Sequence, residues 1–364
     1  MSGRSVVLVT LLAASFIGCG DDAAPDSSPR TPTLVVAPWT TIAPGDTMRL
    51  HAVLVDSSGA PRRVPVTWLS ADRAIAVVDS AGPRSSRAVV AVEPAVLLGA
   101  GDIASCTSFG DEATAALLDT LAGIVFTLGD NVYPDGRPRA YQECYDESWG
   151  RHRARTRPVP GNHDYHTAGA SGYFGYFGTL AGDSGRGYYS YDVGTWHIVA
   201  LNSNVPMNPG SREERWLRAD LAAHPALCTL AYWHHPRFSS GTTHGSTPAT
   251  QPLWQALYDA GADVVVSGHE HSYERFAPQT PTGEYDAERG IREFVVGTGG
   301  ASHFPFGRPL ANSERRDNAT YGVLRLTLKP GGYDWRFIPA AAGEFTDWGS
   351  GSCHQARPRN PSTP

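Results

Sequence analysis

Residues 124–133 read IVFTLGDNVY, an apolar run that ends directly in Gly129 and Asp130. A short apolar run bounded by a turn residue is typical of a buried strand. The glycine at its end allows the backbone to turn sharply and to approach a site closely. Tyr133 follows Asp130 by three residues. The stretch therefore predicts a strand that delivers a carboxylate and a phenol to the edge of a sheet.

The pattern of an apolar run followed by polar side chains recurs along the chain. The other four occurrences end in Gly101-Asp102, Gly161-Asn162-His163-Asp164, Trp233-His234-His235-Pro236 and Gly268-His269-Glu270-His271. In open α/β sheets, functional residues lie just beyond the carboxyl ends of the strands. Oxygen and imidazole donors together suit transition metals rather than calcium. We therefore expect a transition-metal site at one edge of a sheet.

The region around these motifs alternates between apolar runs and stretches with helical periodicity. The predicted helices are residues 112–121 and 252–260, and the predicted later strands are 292–296, 321–328 and 333–338. Apolar strands that alternate with helices predict an α/β domain with largely buried sheets. We assign this domain to residues 95–345, followed by a C-terminal tail over residues 346–364.

The first nineteen residues have the pattern of a targeting segment. Arg4 precedes an apolar run over residues 6–17, which is too short to span a bilayer. Residues 16–19, FIGC, resemble a bacterial lipobox, in which Cys19 becomes the lipidated first residue of the mature protein. A plain signal peptide cleaved nearby is the alternative. Both interpretations predict export, either as a lipoprotein anchored at the cell envelope or as a secreted or periplasmic protein.

Two further segments precede the α/β domain. Residues 20–32 are rich in Asp, Ser, Pro and Ala, a composition that predicts a flexible tether. Residues 33–93 contain short alternating runs separated by turn residues, which predict a small all-β sandwich. PGD at residues 44–46 and TWLSAD at residues 67–72 resemble bacterial immunoglobulin-like domains. We interpret this segment as a spacer.

The charge balance restricts the possible partners. The 364 residues carry a net charge of −6 at pH 7, and the isoelectric point is about 6.1. A basic surface patch is the usual feature of a nucleic-acid-binding protein, and no block of Lys and Arg is present in the sequence. We therefore expect no nucleic-acid partner, which disfavours a nuclease.

The five motifs, in this order, resemble those of the calcineurin-like metallophosphoesterases over residues 96–340. Most members of that family carry Asp-x-His in the first motif, whereas Asp102 is followed here by Ile103 and Ala104. Tyr133 replaces the missing histidine, an arrangement similar to that of the purple acid phosphatases. The resemblance implies a β-sandwich flanked by helices. It also implies hydrolysis of phosphate monoesters of small phosphorylated molecules by a hydroxide bound to two metal ions.

The resemblance also implies a role for each side chain of the motifs. A ferric ion would be held by Asp102, Tyr133 and His271. A divalent ion, Zn, Fe or Mn, would be held by Asn162, His234 and His269. Asp130 would bridge the two ions. A phenolate is a hard anionic donor, which favours Fe(III) over Fe(II).

Three further side chains are candidates for catalysis. His163, next to the proposed ligand Asn162, is expected to be the general acid or a hydrogen-bond donor to the leaving group. Asp164 is expected to orient His163. His244 lies in a Gly- and Ser-rich loop over residues 239–245 and either contacts phosphate or is a solvated loop residue. His197, by contrast, is interpreted as a strand residue.

Four cysteines remain when Cys19 is set aside, and they allow three disulfide connectivities. An even number in an exported protein predicts two disulfides. We expect Cys106 to pair with Cys144 and Cys228 with Cys353.

Two alternative functions are left open by the sequence. The first is a phosphodiesterase on the same two-metal scaffold, since the sequence does not give the shape of the pocket. The second is a surface binding protein in which the immunoglobulin-like segment is the active part. The second is disfavoured because every ligand position of the resemblance is filled. The natural substrate and the oligomeric state are not determined by the sequence.

Overall fold

The computed structural model describes residues 94–354, apart from 184 and 343, together with the backbone of six short strands before residue 94. The chain separates into two compact units, Met1–Glu93 and Pro94–Pro364. The predicted targeting segment, including Cys19, and the predicted tether lie outside the described residues. Within the part that the structure describes, no helix is both long and apolar enough to cross a lipid bilayer.

The first unit contains two three-stranded antiparallel sheets. Its six strands are β1 (Thr33–Val36), β2 (Thr47–Leu50), β3 (Ala52–Val55), β4 (Pro61–Arg62), β5 (Val77–Asp79) and β6 (Ser86–Val89). One sheet has the order β1-β3-β4 and the other has the order β2-β6-β5. The immunoglobulin-like assignment of this segment stays a prediction, since its side chains lie outside the described part of the chain.

The second unit contains thirteen strands in two mixed sheets. They are β7 (Ala95–Ala100), β8 (Ile124–Thr127), β9 (Thr156–Arg157), β10 (Tyr189–Val193), β11 (Trp196–Ala200), β12 (Cys228–Tyr232), β13 (Val264–Ser267), β14 (Tyr273–Phe276), β15 (Arg292–Val296), β16 (Ser313–Asp317), β17 (Gly322–Lys329), β18 (Gly332–Pro339) and β19 (Trp348–Ser352). The six-stranded sheet has the order β19-β18-β17-β7-β8-β9, and the seven-stranded sheet has the order β10-β11-β12-β13-β15-β14-β16.

Helices and single helical turns connect these strands. The α-helices are α1 (Gly110–Thr120), α2 (Pro138–Ala140), α3 (Asn162–Tyr165), α4 (Ser171–Phe177), α5 (Arg212–Ala223) and α6 (Gln251–Ala260). The 3-10 segments are Trp149–Arg155, Ala168–Ala170, Gly178–Ala181 and Pro248–Thr250, and Tyr141–Tyr145 forms a π-helical turn.

The two sheets share one hydrophobic core. Phe126 of β8 lies against Tyr232 of β12, with ring centroids 5.6 Å apart, and both side chains are buried in the same cluster. The opposite face of the seven-stranded sheet carries a second cluster, to which Leu217 of α5 and Trp254 of α6 contribute. Because successive residues of a strand point to opposite faces, β11 supplies Ile198 to the first cluster and Val199 to the second.

The structure confirms the predicted mixed α/β fold with two sheets. The two predicted helices form as α1 and α6, and strand β15 begins and ends at the predicted residues. The predicted boundary at residue 345 is too early. The chain beyond it adds β19 to the edge of the six-stranded sheet, paired with β18. Five residues of sequence WGSGS have weak strand propensity, so the pairing with β18 decides their conformation.

Both predicted disulfides are confirmed. Cys106 is bonded to Cys144 and Cys228 to Cys353. The first bond ties the loop after β7 to the π-helical turn, and the second ties the residue after β19 to the start of β12. A disulfide of this kind contributes about 2–4 kcal/mol to the free energy of unfolding.

Glu213, the second residue of α5, is a buried carboxyl group with one partner. One oxygen accepts a hydrogen bond from Asn202 N at 2.7 Å, and the other has no partner among the described residues. Burial raises the pKa of Glu213 to about 8. The unfolded chain therefore releases this proton at lower pH than the folded protein does, and ionisation destabilises the fold as the pH rises.

We expect the free energy of unfolding of the parent to fall between pH 5 and pH 8, and Glu213→Gln to remove part of that fall. One pKa unit corresponds to about 1.4 kcal/mol. We therefore expect the decrease in the free energy of unfolding between the two pH values to be about 2–4 kcal/mol smaller in Glu213→Gln than in the parent. Urea unfolding at both pH values measures it. Glu288→Gln, at an exposed position, is the control. Equal pH slopes for all three proteins would contradict the effect.

Candidate metal centre

The predicted site residues lie at the carboxyl ends of strands from both sheets. Asp102 follows β7 and Asp130 follows β8, two parallel neighbours in the six-stranded sheet. His234 follows β12 and His269 follows β13, two parallel neighbours in the seven-stranded sheet. Asn162 begins the short helix α3. The edges of the two sheets meet directly, since Gly101 N donates to Val296 O of β15 and His269 N donates to Asp102 Oδ2 at 2.8 Å.

The backbone at three of these residues has an unusual conformation. Asp102, Asp130 and His269 have positive φ angles of 61°, 47° and 72°. Residues other than glycine rarely adopt this region, and such strain concentrates at functional sites. Gly161 allows the close approach, because a Cβ there would lie 2.1 Å from Asp130 Oδ1. The fold thus holds these side chains at one point at a conformational cost.

One set of donors gathers around the Tyr133 hydroxyl. The phenol oxygen lies 3.0 Å from Asp102 Oδ1, 3.2 Å from Asp130 Oδ2 and 2.9 Å from His271 Nε2. His271 Nε2 also lies 3.4 Å from Asp102 Oδ1. Two carboxylates, a phenol and an imidazole therefore converge on one small volume.

A second set gathers around His234 Nε2. This nitrogen lies 3.0 Å from Asn162 Oδ1, 3.0 Å from His269 Nδ1 and 3.3 Å from Asp130 Oδ2. The Oδ2 atom of Asp130 thus contacts both sets, Tyr133 on one side and His234 on the other. Ligand atoms that share one ion, with bonds of about 2.0–2.2 Å, lie about 3–3.5 Å apart, which is the spacing within each set.

The two carboxylates are buried and have no permanent cation beside them. Asp102 and Asp130 are 0% and 1% exposed, and in the described part of the chain their ion pairs involve histidines and no lysine or arginine. Buried carboxylates require a positive partner. The residues therefore fit two cations, one in each set, with Asp130 between them.

Two of the proposed ligand histidines, His234 and His271, are oriented as metal-binding imidazoles usually are. His234 Nδ1 donates to Leu128 O at 2.7 Å, and His271 Nδ1 donates to Ser302 O. Because a carbonyl can only accept, each ring presents Nε2 to the donor set. Metal-ligating histidines typically donate their other N–H to a backbone carbonyl or carboxylate in this way.

Comparison with known proteins agrees with this arrangement. Residues 96–273 match the family described as calcineurin-like phosphoesterase. The second unit, which contains these residues, is therefore called the phosphoesterase domain. Purple acid phosphatase 15 of Arabidopsis thaliana is 31% identical over 153 residues, which are 37% of this chain and 29% of that protein. Purple acid phosphatase 23 of the same plant is 32% identical over 186 residues, which are 46% of this chain and 40% of that protein.

A solved structure shows the same fold. Purple acid phosphatase PPD1 from yellow lupin seeds superposes with a TM-score of 0.56 at 16% identity, over 85% of this chain and 60% of that chain. The chain spans less than half the length of the curated relatives named above. Family and homologues together indicate that the phosphoesterase domain is a dinuclear metal hydrolase.

The pKa values of the proposed ligands are shifted by burial and by the charges of their neighbours. Burial alone would raise the pKa of Asp130, but His234 and His163 hold it below its usual range. Burial and the charges of Asp102 and Asp130 raise the pKa of the Tyr133 phenol well above 10. Burial and the neighbouring His234 lower the pKa of His269. A cation at each set would relieve these conflicts by stabilising the deprotonated donors.

His163 is held beside the two sets by its own backbone and ring. Its amide donates to Asp130 Oδ1 at 2.8 Å, and its Nδ1 donates to Pro134 O at 2.6 Å. Its Nε2 lies 3.9 Å from Asp130 Oδ2, and 29% of its side chain is exposed. The Pro134 carbonyl fixes the ring, so that Nε2 is the nitrogen that faces the site and remains open to solvent.

Among the described residues, the Asp164 carboxylate makes no hydrogen bond to the ring of His163, so an effect of Asp164 on His163 would run through the backbone. Asp164 Oδ1 accepts from the Tyr141 hydroxyl at 2.6 Å, and Oδ2 accepts from Gly161 N and from the Asn131 side chain. Within the described residues, Pro134 O takes the place that the prediction gave to this carboxylate. Asp164 is fully buried, and burial raises its pKa to about 6. Its hydrogen bonds brace the turns that carry the ligands.

His244 lies over the second set of donors. Its ring centroid is 4.1 Å from that of His269 and 5.4 Å from that of Phe304. Burial lowers the pKa of His244. The loop that carries it is anchored by Glu270, whose Oε1 accepts from the amides of both His244 and Gly245.

No role was predicted for Glu270 from the sequence. The carboxylate is buried between two proposed ligands, and its Oε2 has no partner among the described residues. A Cβ at Gly241 would lie 2.3 Å from its carboxyl carbon, so the loop passes too close for any other residue. Phe304, which stacks on His271 at 3.8 Å, was also missed. The position of Glu270 between His269 and His271 was the feature of the sequence that could have indicated its role.

Proposed function

We propose that the chain hydrolyses phosphate monoesters at a two-metal centre of the acid phosphatase type. The observation that carries this proposal is the position of Asp130, one oxygen of which contacts both sets of donors. A carboxylate in that position can serve two ions at once, and two-metal sites with ions about 3.5–4 Å apart are typical of phosphatases.

The two sets of donors differ in the types of ligand atom that they offer, and this difference supports a different metal ion in each set. Asp102, Tyr133 and His271 would hold Fe(III), because a phenolate is a hard anionic donor. Asn162, His234 and His269 would hold a divalent ion, Zn, Fe or Mn, since neutral amide and imidazole donors suit such ions. When bound, the cations supply Lewis acidity and a nucleophilic water at neutral or acidic pH.

The chain's own side chains would complete the reaction. His163 Nε2 faces the proposed centre while Nδ1 is fixed by Pro134 O, an arrangement that supports proton donation to the leaving oxygen. His244, beside His269, would contact a phosphoryl oxygen. Asp164 would hold the backbone at Gly161 and Asn131, so that Asn162 and His163 keep their positions.

Hydrolysis of paired esters tests the proposal. We expect kcat/KM for a nitrophenyl phosphate to exceed that for the corresponding bis(nitrophenyl) phosphate by at least about 100-fold, a difference of about 2.7 kcal/mol in transition-state binding. Activity on the monoester alone supports the phosphatase. A reversed preference would replace it with a phosphodiesterase on the same scaffold, and activity on neither ester would contradict both.

The contacts of Glu270 predict a role in holding the loop of His244. Glu270→Ala leaves the amides of His244 and Gly245 without their acceptor, and an unpaired buried N–H costs about 1–3 kcal/mol. We expect kcat/KM for a phosphomonoester to fall about 10–100-fold, because small displacements near the reacting atoms are costly. Glu270→Gln retains one acceptor oxygen and is the matched control.

Steady-state kinetics with metal analysis measure this effect. We expect both variants to keep the metal content of the parent and only the alanine variant to lose most of its activity. If Glu270→Ala had the same kcat/KM as the parent, the hydrogen bonds from His244 and Gly245 to Glu270 would not be needed to position His244.

Export and the spacer role of residues 20–93 belong to the same proposal. Two disulfides in the phosphoesterase domain support an oxidising compartment. We propose that the N-terminal segment exports the chain, with Cys19 as a lipid anchor. No proposed ligand or acid lies in the first 93 residues, which supports a spacer between membrane and enzyme.

A further inference from the structure

A second group of histidines and carboxylates lies away from the proposed two-metal centre. His197 stands near the amino end of β11, opposite Asp192 in the hairpin formed with β10. His197 shares its face of the sheet with Val199, which packs in the cluster beside α5, and α5 carries Asp220. The proposed centre lies beyond the carboxyl ends of the neighbouring strands, so this group is at the other end of the sheet.

Both histidines of this group lie within hydrogen-bonding distance of Asp220. His197 Nε2 lies 2.8 Å from Asp220 Oδ2. His224 Nδ1 lies 3.0 Å from the backbone carbonyl oxygen of Asp220 and 3.2 Å from Asp220 Oδ1. His224 follows the last residue of α5, and its ring is nearly parallel to that of His197, with centroids 5.0 Å apart. One donor atom from each of His197, Asp220 and His224 lies within 4.8 Å of the other two.

The surroundings of His197 are those of a metal-binding imidazole. Its Nδ1 lies 2.8 Å from Asp192 Oδ1, and a carboxylate on the second ring nitrogen orients histidine ligands in many zinc sites. Asp220 is fixed by a hydrogen bond from Ser190 Oγ at 2.9 Å. The side chain of His197 is 1% exposed and that of Asp220 is 8% exposed. These two donors are therefore held in place before any ion arrives.

The third donor and the access route are at the surface. His224 is 47% exposed, so its ring can adjust to the spacing of about 3–3.7 Å that ligands on one zinc ion require. A cleft of about 400 Å³, lined in part by Ser190 and Asp220, opens beside the group. Burial alone would lower the pKa of His197, but Asp220 and Asp192 raise it. A divalent cation at Nε2 would replace the proton that these two carboxylates favour on the ring.

We propose that His197, Asp220 and His224 bind one Zn²⁺ ion, separate from the two-metal centre, with solvent in the fourth position. Two imidazoles and a carboxylate are the donors that zinc takes in proteins. The ion would tie the carboxyl end of α5 to the hairpin of β10 and β11. This inference does not depend on the proposed phosphatase activity.

Zinc binding by the full chain, purified with its own metals, tests the proposal. Equilibrium dialysis against micromolar Zn²⁺ at neutral pH, followed by metal analysis, counts the ions that each protein takes up. We expect His224→Ala to bind one equivalent of Zn²⁺ fewer than the parent. Asp192→Asn should keep the equivalent with about 10–100-fold weaker affinity, the usual effect of losing an orienting carboxylate.

His152→Ala is the matched control. His152 Nε2 lies 3.1 Å from Asp119 Oδ1, which is a histidine–carboxylate pair outside the three-donor groups found among the described residues. This variant should bind as much Zn²⁺ as the parent.

The readout is stoichiometry, so it is independent of turnover. Circular dichroism of His224→Ala, at a half-exposed helix end, checks that the variant is folded. Equal zinc uptake by the parent, His224→Ala and Asp192→Asn would overturn the proposal. His197 would then be an imidazolium held between two carboxylates. A loss in His224→Ala that His152→Ala also shows would overturn it as well.

Discussion

Replacement of Asp130 by alanine is expected to abolish phosphomonoester hydrolysis and to lower the metal content of the chain. One oxygen of Asp130 contacts both sets of donors, so its loss would remove a ligand from each of the two proposed ions. Loss of a single electrostatic stabiliser typically costs about 10²–10³ in rate, and Asp130 serves two. We therefore expect kcat/KM to fall by more than about 10³-fold, with fewer than two ions per chain.

The matched control is Asp119→Ala, which removes a partly exposed aspartate that pairs with Arg151. Metal analysis and kinetics on the same preparations measure both effects. We expect the control to keep its metals and its rate. An Asp130→Ala protein with two ions per chain and normal turnover would rule out the bridging role.

Replacement of His163 is expected to reduce the rate according to the leaving group while leaving the metals bound. The ring faces the site through Nε2 and is fixed by Pro134 O, so alanine removes a proton donor and no proposed ligand. General acids contribute about 10²–10⁴-fold. We expect a loss of that size on an alkyl phosphate and a much smaller loss on a nitrophenyl phosphate, whose leaving group needs little protonation.

His166→Ala is the control for this experiment. The His166 ring lies 4.6 Å from that of His163, and its Nδ1 lies 3.2 Å from the same Pro134 O. The variant perturbs the local packing but keeps the donor. Equal losses on both esters in His163→Ala would make His163 a group that positions phosphate, and loss of metal would make it a ligand.

The sequence predicted the position of the donors because they follow local patterns. An apolar run that ends in a glycine and a polar residue predicts both a strand and its carboxyl end. Asp102, Asp130 and His269 follow such runs, and His234 follows an apolar run that ends in Trp233 without a glycine. All four lie just beyond strand ends in the structure. Parallel pairing of β7 with β8 and of β12 with β13 then brings them together.

Contacts between distant segments were not predictable in the same way. Asp164 was expected to act on its neighbour His163, but its partner Tyr141 lies 23 residues earlier, in a π-helical turn. The positive φ angles of the proposed ligands Asp102, Asp130 and His269 also arise from tertiary packing. Local patterns carry no information on either feature.

Helix α5 shows a signal that could have been used. Ser211 and Glu214 have the Ser-x-x-Glu spacing of a capping box, and Ser211 Oγ accepts from Glu214 N at 3.2 Å. The opposite case is β19, where a Gly- and Ser-rich sequence is a strand only because β18 pairs with it. Capping motifs thus predict where a helix begins from the sequence alone. An edge strand of weak propensity can be predicted only when the strand that pairs with it is known.

Metal content measured together with turnover tests the two-metal account most directly. The protein would be purified as His224→Ala, so that the proposed additional zinc site does not contribute to the metal count. We expect two ions per chain, iron among them, with a visible absorption band that Tyr133→Phe removes. Chelation should remove ions and hydrolysis together, and metal addition should restore both. Full hydrolysis by a protein with fewer than two ions per chain would contradict the account.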